Sequence, residues 1–183
     1  MLIGIDEVGR GALAGPLVVA CVSLSDQIVG LRDSKKLTIK KRTDLYSKIF
    51  NNSKFATIGW VWPHEIDHYG LTKSTEIAIL RALYNFKIDP NLQIILDGNV
   101  NYLKNTNLNV KTMIKADDLI SEVSAASIIA KVTRDNYMRR LDQFFPLYNF
   151  NQNVGYGTKD HITAIQKFGP SSIHRSLFLR KII

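Results

Sequence analysis

Four carboxylates stand at the ends of predicted strands and helices, where they could meet at one site. Asp6 and Glu7 follow the first apolar strand, Asp97 closes a second, and Asp117 opens the longest predicted helix. Carboxylates without clustered histidines or cysteines suit a hard cation such as Mg²⁺ or Mn²⁺, whereas zinc prefers nitrogen and sulfur ligands. Two such ions can hold the attacking water and the leaving oxygen of a phosphodiester. The spacing is therefore consistent with a metal site for phosphodiester chemistry.

Each carboxylate also has a structural interpretation. Asp6 could accept hydrogen bonds from the glycine-rich turn that follows it, Asp117 or Asp118 could cap the helix, and Asp97 could begin a turn at Gly98. Successive side chains of a regular strand point to opposite faces. Asp6 and Glu7 can share an ion only where the strand has ended and the chain turns, so we expect the first strand to end at Asp6.

Basic and aromatic residues suggest a polyanionic partner. The net charge is +8, and the densest basic stretch runs from Arg32 to Arg42 and includes Lys35 and Lys36. Neutralising phosphates releases condensed counterions, which favours nucleic acid, although a basic face can also serve solubility alone. Tyr156 has glycine on both sides, which leaves its ring accessible for stacking on a base or sugar. The four histidines are scattered along the chain, and we expect surface or hydrogen-bonding roles for them.

The order of predicted elements indicates an α/β fold. Apolar patterns predict strands at 2–6, 17–24, 55–62, 93–97 and 110–114. Helices are predicted at 40–50, 73–86, 118–144, 159–168 and 171–181. We expect a mixed sheet flanked by helices, with a small helical C-terminal appendage. The 93–97 strand can lie parallel beside the first strand, which brings both carboxyl ends to an edge where such sheets bind ligands.

Length and composition indicate one domain in a reducing compartment. The 183 residues fit a single domain over 1–183, with a core over about 1–145 and the appendage over about 146–183. The lone Cys21 lies in an apolar run and has no intramolecular disulfide partner. The N-terminus has no basic leader, and the apolar run at 16–24 is shorter than the roughly 20 residues that span a bilayer. We expect a cytoplasmic monomer with no membrane partner.

Several segments together resemble one known family. The segment Gly4-Ile-Asp-Glu-Val-Gly-Arg-Gly11 resembles the opening motif of the ribonuclease HII family. The likeness continues, in order, through Asp33-Ser-Lys-Lys-Leu37, Leu96-Asp-Gly98, Lys115-Ala-Asp117, Ser124–Asp135, Gly155-Tyr156 and His174-Arg175. It covers roughly residues 3–178. Two positions depart from the family pattern: Asn153 stands where histidine is frequent, and Leu177 precedes Phe178 where serine is usual.

The resemblance implies both a fold and a reaction. It implies a ribonuclease H-like fold and an endonuclease that hydrolyses the RNA strand of RNA–DNA hybrids. Cleavage would fall on the 5′ side of a ribonucleotide, including a single one embedded in a DNA duplex, and leave a 3′-hydroxyl and a 5′-phosphate. Such an enzyme would serve ribonucleotide excision repair.

It also implies particular site residues. The catalytic and metal-binding set, which would hold Mg²⁺ or Mn²⁺ as two ions once substrate is bound, is Asp6, Glu7, Asp97 and Asp117. The turn Gly9-Arg10-Gly11 would contact the ribose 2′-hydroxyl, largely through backbone groups. Tyr156 would pack against the following sugar, and Lys35 and Lys36 would lie near phosphates. The C-terminal appendage would thereby contribute to substrate binding.

Two other function classes are weaker. An actin-like ATPase also uses a strand, an aspartate and a glycine-rich turn, but that fold normally needs two such domains. A non-catalytic nucleic-acid-binding protein would fit the charge. Four carboxylates beside phosphates would weaken such binding unless metal ions intervened.

Overall fold

A five-stranded sheet forms the centre of the computed structural model, which describes residues 1–84, 92–180 and 182. Its strands are Leu2–Val8 (β1), Leu17–Leu24 (β2), Ser53–Val61 (β3), Gln93–Asp97 (β4) and Asn109–Met113 (β5). The strand order is β3-β2-β1-β4-β5. β2 is antiparallel to β1 and β3, whereas β4 is parallel to β1 and to β5. The predicted mixed sheet is confirmed, as is the parallel placement of the 93–97 strand beside the first.

Helices cover both faces of the sheet, which explains the near-continuous apolar run of β2. All eight residues of β2 are buried. One face, which carries Ile3 and Ile5, packs against α2 (Pro63–Leu83). The other face, which carries Val18 and Ala20, packs against α1 (Ile39–Asn51) and α4 (Ser121–Leu141). Successive residues of β2 therefore belong to two different cores.

The first two helices differ in how well their starts were predicted. α1 begins after Thr38, whose side-chain oxygen accepts a hydrogen bond from Lys41 N, as expected for an N-cap. The prediction that the next helix starts at 73 is wrong. Its first helical residue is Pro63, a residue suited to that position, and the helix is interrupted at Gly70. The predicted end at 86 lies outside the described residues.

The predicted helix over 118–144 is two helices. A short helix, α3 (Ala116–Leu119), ends at Ile120, whose φ of −119° and ψ of 119° are extended. The long helix α4 then runs from Ser121 to Leu141. Asp117 therefore belongs to α3 and does not open the long helix, which corrects the prediction for that residue.

The C-terminal part consists of short helices around their own apolar cluster. The helices are α5 (Phe150–Asn153), α6 (Lys159–Phe168) and α7 (Ser176–Leu179), and a 3₁₀ turn spans Pro146–Tyr148. The predicted helix over 171–181 is wrong except at Ser176–Leu179, and residue 181 lies outside the described part. Residues 173–175 instead bond to the loop after β1, since Gly15 N donates to Ile173 O and Arg175 N to Leu13 O, both at 2.8 Å. In the described residues, no helix combines the length and hydropathy needed to cross a membrane.

Candidate active site

A cleft of about 310 Å³ lies at the carboxyl end of β1. Its lining comes from β1, the 3₁₀ turn Ser34–Lys36, the middle of α4 and the loop before α6. The lining residues are Asp6, Glu7, Val8, Ser34, Lys35, Ser127, Lys131 and Tyr156. The cleft therefore combines four segments that are far apart in the sequence.

Asp6 and Glu7 both reach this cleft, but from opposite faces of the sheet. β1 pairs with β2 as far as Val8, so the prediction that the strand ends at Asp6 is wrong by two residues. Pairing with β4 stops earlier, at Ile5 and Leu96. Beyond that point β1 has no paired strand on its β4 side among the described residues, and Asp6 and Glu7 lie next to the end of β4. Strand alternation then places Asp6 towards α4 and Glu7 on the face of Ile5.

Asp6 is a buried carboxylate in an unfavourable electrostatic environment. Only 8% of its surface is exposed. Burial raises the pKa of Asp6 well above its usual value, and the charges of Glu7 and Asp97 raise it further. The Ser127 hydroxyl opposes this change, as does the backbone N–H of Glu7, which donates to Asp6 Oδ1 at 2.8 Å. The hydroxyls of Ser127 and Ser34 lie 2.9 Å apart and are hydrogen-bonded to each other.

The other three carboxylates share this environment. Burial raises the pKa of Asp117 to about 6, with Asp97 and Asp33 adding to the effect. Burial and Asp97 also raise the pKa of Glu7, against the opposing effect of Arg10. The charge of Asp97 therefore acts on all three of the other carboxylates. Its own Oδ1 accepts a hydrogen bond from Ala116 N at 2.8 Å, which ties β4 to the start of α3.

The donor set fits a divalent cation, although the side chains do not converge as they stand. Their oxygen atoms are hard donors, and a cation would offset the mutual repulsion that adds to the effect of burial on the pKa values of Asp6, Glu7 and Asp117. Within the described part of the chain, no group of three or more histidine, cysteine, aspartate or glutamate side chains is arranged to hold an ion. Asp97 and Asp117 lie outside the lining of the cleft. Binding an ion would require these side chains to move together.

The turn Gly9-Arg10-Gly11 lies beside Glu7. Arg10 Nη1 donates to Glu7 Oε1 at 3.2 Å, and its guanidinium lies 5.7 Å from the centre of the Tyr102 ring. The two glycines differ in what the fold requires of them. Gly9 has a φ of +90°, and a Cβ there would collide with Arg134 and with Pro16 O. Gly11 has no such φ, and a Cβ there would have no atom within 4 Å, so the fold alone does not require glycine.

The two lysines occupy different positions. Lys35 lines the cleft. Lys36 lies outside the lining, where its Nζ donates to Asp118 Oδ2 at 2.6 Å. Asp118, which was considered as a helix cap, instead forms this ion pair. Of these two lysines, Lys35 lies at the cleft and Lys36 does not.

Tyr156 lines the cleft with a ring that is partly buried, less open than its two glycine neighbours suggested. The Lys131 ammonium lies 5.6 Å from the ring centre, and the Arg134 guanidinium lies 5.2 Å away. The preceding turn is fixed by Asn153, whose Oδ1 accepts from Gly155 N at 2.8 Å and whose Nδ2 donates to Tyr148 O at 2.6 Å. Asparagine at position 153 therefore makes the bonds that shape this turn.

Two of the four histidines form a buried pair behind Tyr156. His174 Nδ1 accepts from Ser171 N, so its Nε2 carries the hydrogen and donates to His161 Nε2 at 3.0 Å. His161 Nδ1 then donates to Tyr156 O at 2.8 Å. Burial lowers the pKa of both imidazoles, to about 4 for His174, where His161 adds to the effect. The expectation of hydrogen-bonding roles is right for this pair, but the two residues are not scattered in space.

Three polar cleft residues were not singled out from the sequence: Ser34, Ser127 and Lys131. Ser127 and Lys131 are four residues apart on α4, a spacing that places them on one helix face. Both lie in the Ser124–Asp135 segment, and Ser34 adjoins Lys35. A helical projection of that segment would have identified Ser127 and Lys131, which share one face of α4.

Known proteins match this chain over almost its whole length. The family model for ribonuclease HII matches residues 3–181. A ribonuclease HII of Campylobacter concisus is 49% identical over 179 residues, which are 97% of this chain and 92% of that protein. The family-model match over residues 3–181 and the 49% identity together establish the family.

Two solved structures show the same fold. Ribonuclease H2 of Pyrococcus horikoshii has a TM-score of 0.81 and 30% identity, over 99% of this chain and 96% of that one. Ribonuclease HII of Archaeoglobus fulgidus, solved in complex with PCNA, has a TM-score of 0.82 and 28% identity, over 96% and 92%. The ribonuclease H-like fold is thereby confirmed. The chain therefore belongs to the ribonuclease HII family, and it is a hydrolase with ribonuclease H activity on RNA–DNA hybrids.

Proposed function

We propose that this chain incises DNA duplexes at single embedded ribonucleotides, in addition to cutting uniform RNA–DNA hybrids. The observation that carries the proposal is the arrangement of the cleft. Asp6 and Glu7 line it, the Gly9-Arg10-Gly11 turn adjoins Glu7, and Tyr156 is also part of the lining. Carboxylates for catalysis, a backbone turn for one ribose and a ring for the next sugar need only two adjacent nucleotides. A single ribonucleotide followed by a deoxynucleotide would satisfy all three.

We assign Asp6, Glu7, Asp97 and Asp117 to the binding of two Mg²⁺ or Mn²⁺ ions when substrate is present. Bound ions would supply an activated water and stabilise the leaving oxygen of the phosphodiester. Backbone and side-chain donors hold the carboxylates in place. Glu7 N donates to Asp6, Ala116 N donates to Asp97, and Arg10 donates to Glu7. Cleavage on the 5′ side of the ribonucleotide would leave a 3′-hydroxyl and a 5′-phosphate.

The remaining contacts come from basic and aromatic groups around the cleft. Lys35 would contact a phosphate directly, and Lys36 would do so from a position where Asp118 holds it. The C-terminal part would supply Tyr156. We further propose that the enzyme acts as a cytoplasmic monomer in ribonucleotide excision repair.

A nicking assay tests this proposal directly. A duplex with one ribonucleotide, labelled on the 5′ end of that strand, is incubated with the protein and Mg²⁺ or Mn²⁺. We expect one product that ends in a 3′-hydroxyl immediately before the ribonucleotide. The matched control is the all-DNA duplex of the same sequence, which should stay intact. Cleavage of hybrids without cleavage of the single-ribonucleotide duplex would refute the finer proposal and leave the family assignment untouched.

A further inference from the structure

Two arginines are fully buried beside the cleft without forming ion pairs. Arg134 on α4 and Arg175 before α7 both have 0% exposure, and neither has a carboxylate partner within 4 Å among the described residues. A buried charge is costly unless hydrogen bonds stabilise it. Arg134 donates to Pro16 O, Val154 O and Ala14 O. Arg175 donates to the carbonyls of Gly15, Gly9 and Arg10.

The two carbonyls that distinguish Arg175 belong to the turn beside Glu7. Arg175 Nη1 lies 2.6 Å from Gly9 O and 3.1 Å from Arg10 O, while its Nε lies 2.9 Å from Gly15 O. One guanidinium thus fixes two consecutive peptide units through their carbonyl oxygens. Lysine could not reproduce this arrangement, because an ammonium group lacks the rigid planar fork of donors.

These bonds determine which backbone groups of the turn face outward. Described peptide bonds are all trans, and in a planar trans peptide the C=O and N–H point in opposite directions. Since Gly9 O and Arg10 O point to Arg175, the N–H groups of Arg10 and Gly11 point away from it. Neither N–H has an acceptor among the described residues, whereas Ala12 N is bonded to Gly9 O. The turn therefore presents two adjacent free donors.

We propose that Arg175 is a positioning residue that aims the N–H groups of Arg10 and Gly11 at the 2′-oxygen of the substrate ribose. The proposal rests on the proposed function, which places a ribose at this turn. Two successive N–H groups form a concave site for an electron-rich atom. Each of these N–H groups shares a peptide unit with a carbonyl that accepts from Arg175. A hydrogen bond from the cationic guanidinium to that carbonyl polarises the peptide unit and makes its N–H a stronger donor. Gly11 leaves open space for the ribose, because a Cβ at that position contacts nothing.

The charge of Arg175 persists under working conditions. Burial, together with the nearby Arg134, lowers the pKa of Arg175 to about 9. The guanidinium is therefore still protonated at neutral pH. A purely structural role would be to hold residues 173–175 against the loop after β1. The two roles differ in what they predict for substrate preference.

The test compares binding to two duplexes that differ only in one 2′-hydroxyl. Dissociation constants are measured with Ca²⁺ in place of Mg²⁺, for a duplex with one ribonucleotide and for its all-DNA counterpart. In Arg175→Lys we expect the preference for the ribonucleotide duplex to fall about tenfold, the effect of losing one well-aligned hydrogen bond. Affinity for all-DNA duplex should stay within about twofold. Ile165→Val, a buried change in α6 outside the turn, controls for lost stability and should keep the wild-type preference.

Each alternative result has a distinct meaning. An unchanged preference in Arg175→Lys, with a lower Tm like that of the control, would overturn the inference and leave Arg175 as a structural tie. Equal weakening on both duplexes would mean that the turn binds a phosphate oxygen, which also overturns it. A wild-type protein that does not distinguish the two duplexes would instead contradict the proposed function.

A second measurement needs no variant. In ¹⁵N-labelled wild-type protein, the amide signals of Arg10 and Gly11 should shift on adding the ribonucleotide duplex and much less on adding the all-DNA duplex. Equal shifts with both duplexes would show that these donors do not contact the 2′-oxygen. This arm remains informative if Arg175→Lys does not fold.

Discussion

At the scale of single residues, Asp97 is the carboxylate whose charge affects the whole group. Its charge contributes to the raised pKa values of Asp6, Glu7 and Asp117. In Asp97→Asn the oxygen that accepts from Ala116 N remains, while the charge is lost. We expect the metal-free variant to be more stable than wild type at pH 8, by about 2–4 °C in Tm for about 1 kcal/mol. Thermal melts in EDTA measure this change.

The same variant separates stability from function. Mg²⁺ should raise the Tm of the wild type, because a ligand that binds only the folded state stabilises it, and should raise that of Asp97→Asn much less. Cleavage by the variant should fall by about 10²-fold or more, as expected when a group that stabilises the transition state is removed. Asp160→Asn, an exposed change on α6, should behave as wild type in all three measurements. Normal cleavage by Asp97→Asn would contradict the metal assignment.

Gly9 and Gly11 make opposite predictions although they are two residues apart. Gly9→Ala should lower the Tm by several degrees, because its φ is +90° and the new Cβ would meet Arg134 and Pro16. Gly11→Ala should change stability by less than about 0.5 kcal/mol, yet slow cleavage of a single-ribonucleotide duplex about tenfold or more. Thermal melts and kcat/KM report the two effects. A stable Gly11→Ala variant with full activity would mean that the substrate does not approach this turn closely.

At the scale of elements, the buried histidine pair connects α6 and the 171–175 segment to Tyr156. His174 has a pKa lowered from 6.5 to about 4. Protons therefore bind more tightly to the unfolded state, so this contribution to stability is present above about pH 6.5 and is lost as the pH falls towards 4. Protonation of His174 at Nδ1 would also place its new N–H against the N–H of Ser171, at 3.0 Å between the two nitrogens.

The predicted outcome is a loss of stability on mild acidification. Between pH 7.5 and 5 the wild type should lose about 1–2 kcal/mol from this pair, or about 2–8 °C in Tm. The raised pKa values of Asp6, Glu7 and Asp117 act in the opposite direction. The diagnostic quantity is therefore the difference from His174→Asn, which should show a smaller pH dependence. His64→Gln, at an exposed position of α2, should keep the wild-type profile. Identical profiles for all three proteins would exclude this role.

What the sequence could predict at this scale follows from which interactions are local. The apolar runs of β2 and β4 and the cap at Thr38 depend on neighbouring residues, and their elements were predicted correctly. The extension of β1 to Val8 depends on pairing with β2, and the extended Ile120 divides a segment with one continuous helical pattern. The conformation of residues 171–175 depends on hydrogen bonds to the loop after β1, and the segment is not helical although its sequence pattern predicts a helix. The carboxylate set came from family resemblance as much as from spacing, while the buried arginines and the histidine pair depend on tertiary contacts.

At the scale of the whole molecule, positive residues are distributed along the chain, and the sheet places some of them at the cleft and others at its opposite end. Lys35 lines the cleft at the carboxyl end of β1. Lys54 is an exposed residue at the start of β3. β3 runs in the same direction as β1, because both are antiparallel to β2, so Lys54 lies at the opposite end of the sheet. Lys35 and Lys54 can therefore be compared as two lysines of the same charge at opposite ends of the sheet.

Salt dependence of binding should therefore distinguish them. Each phosphate contact adds a slope of about −0.9 to the dependence of log K on log salt, because bound counterions are released. Lys35→Gln should reduce the magnitude of the slope by about one unit, and Lys54→Gln should leave it unchanged. The measurement is fluorescence anisotropy with a labelled RNA–DNA hybrid in Ca²⁺ over a range of KCl concentrations. If both variants reduce the slope equally, the hybrid is attracted by overall charge and Lys35 has no specific phosphate contact.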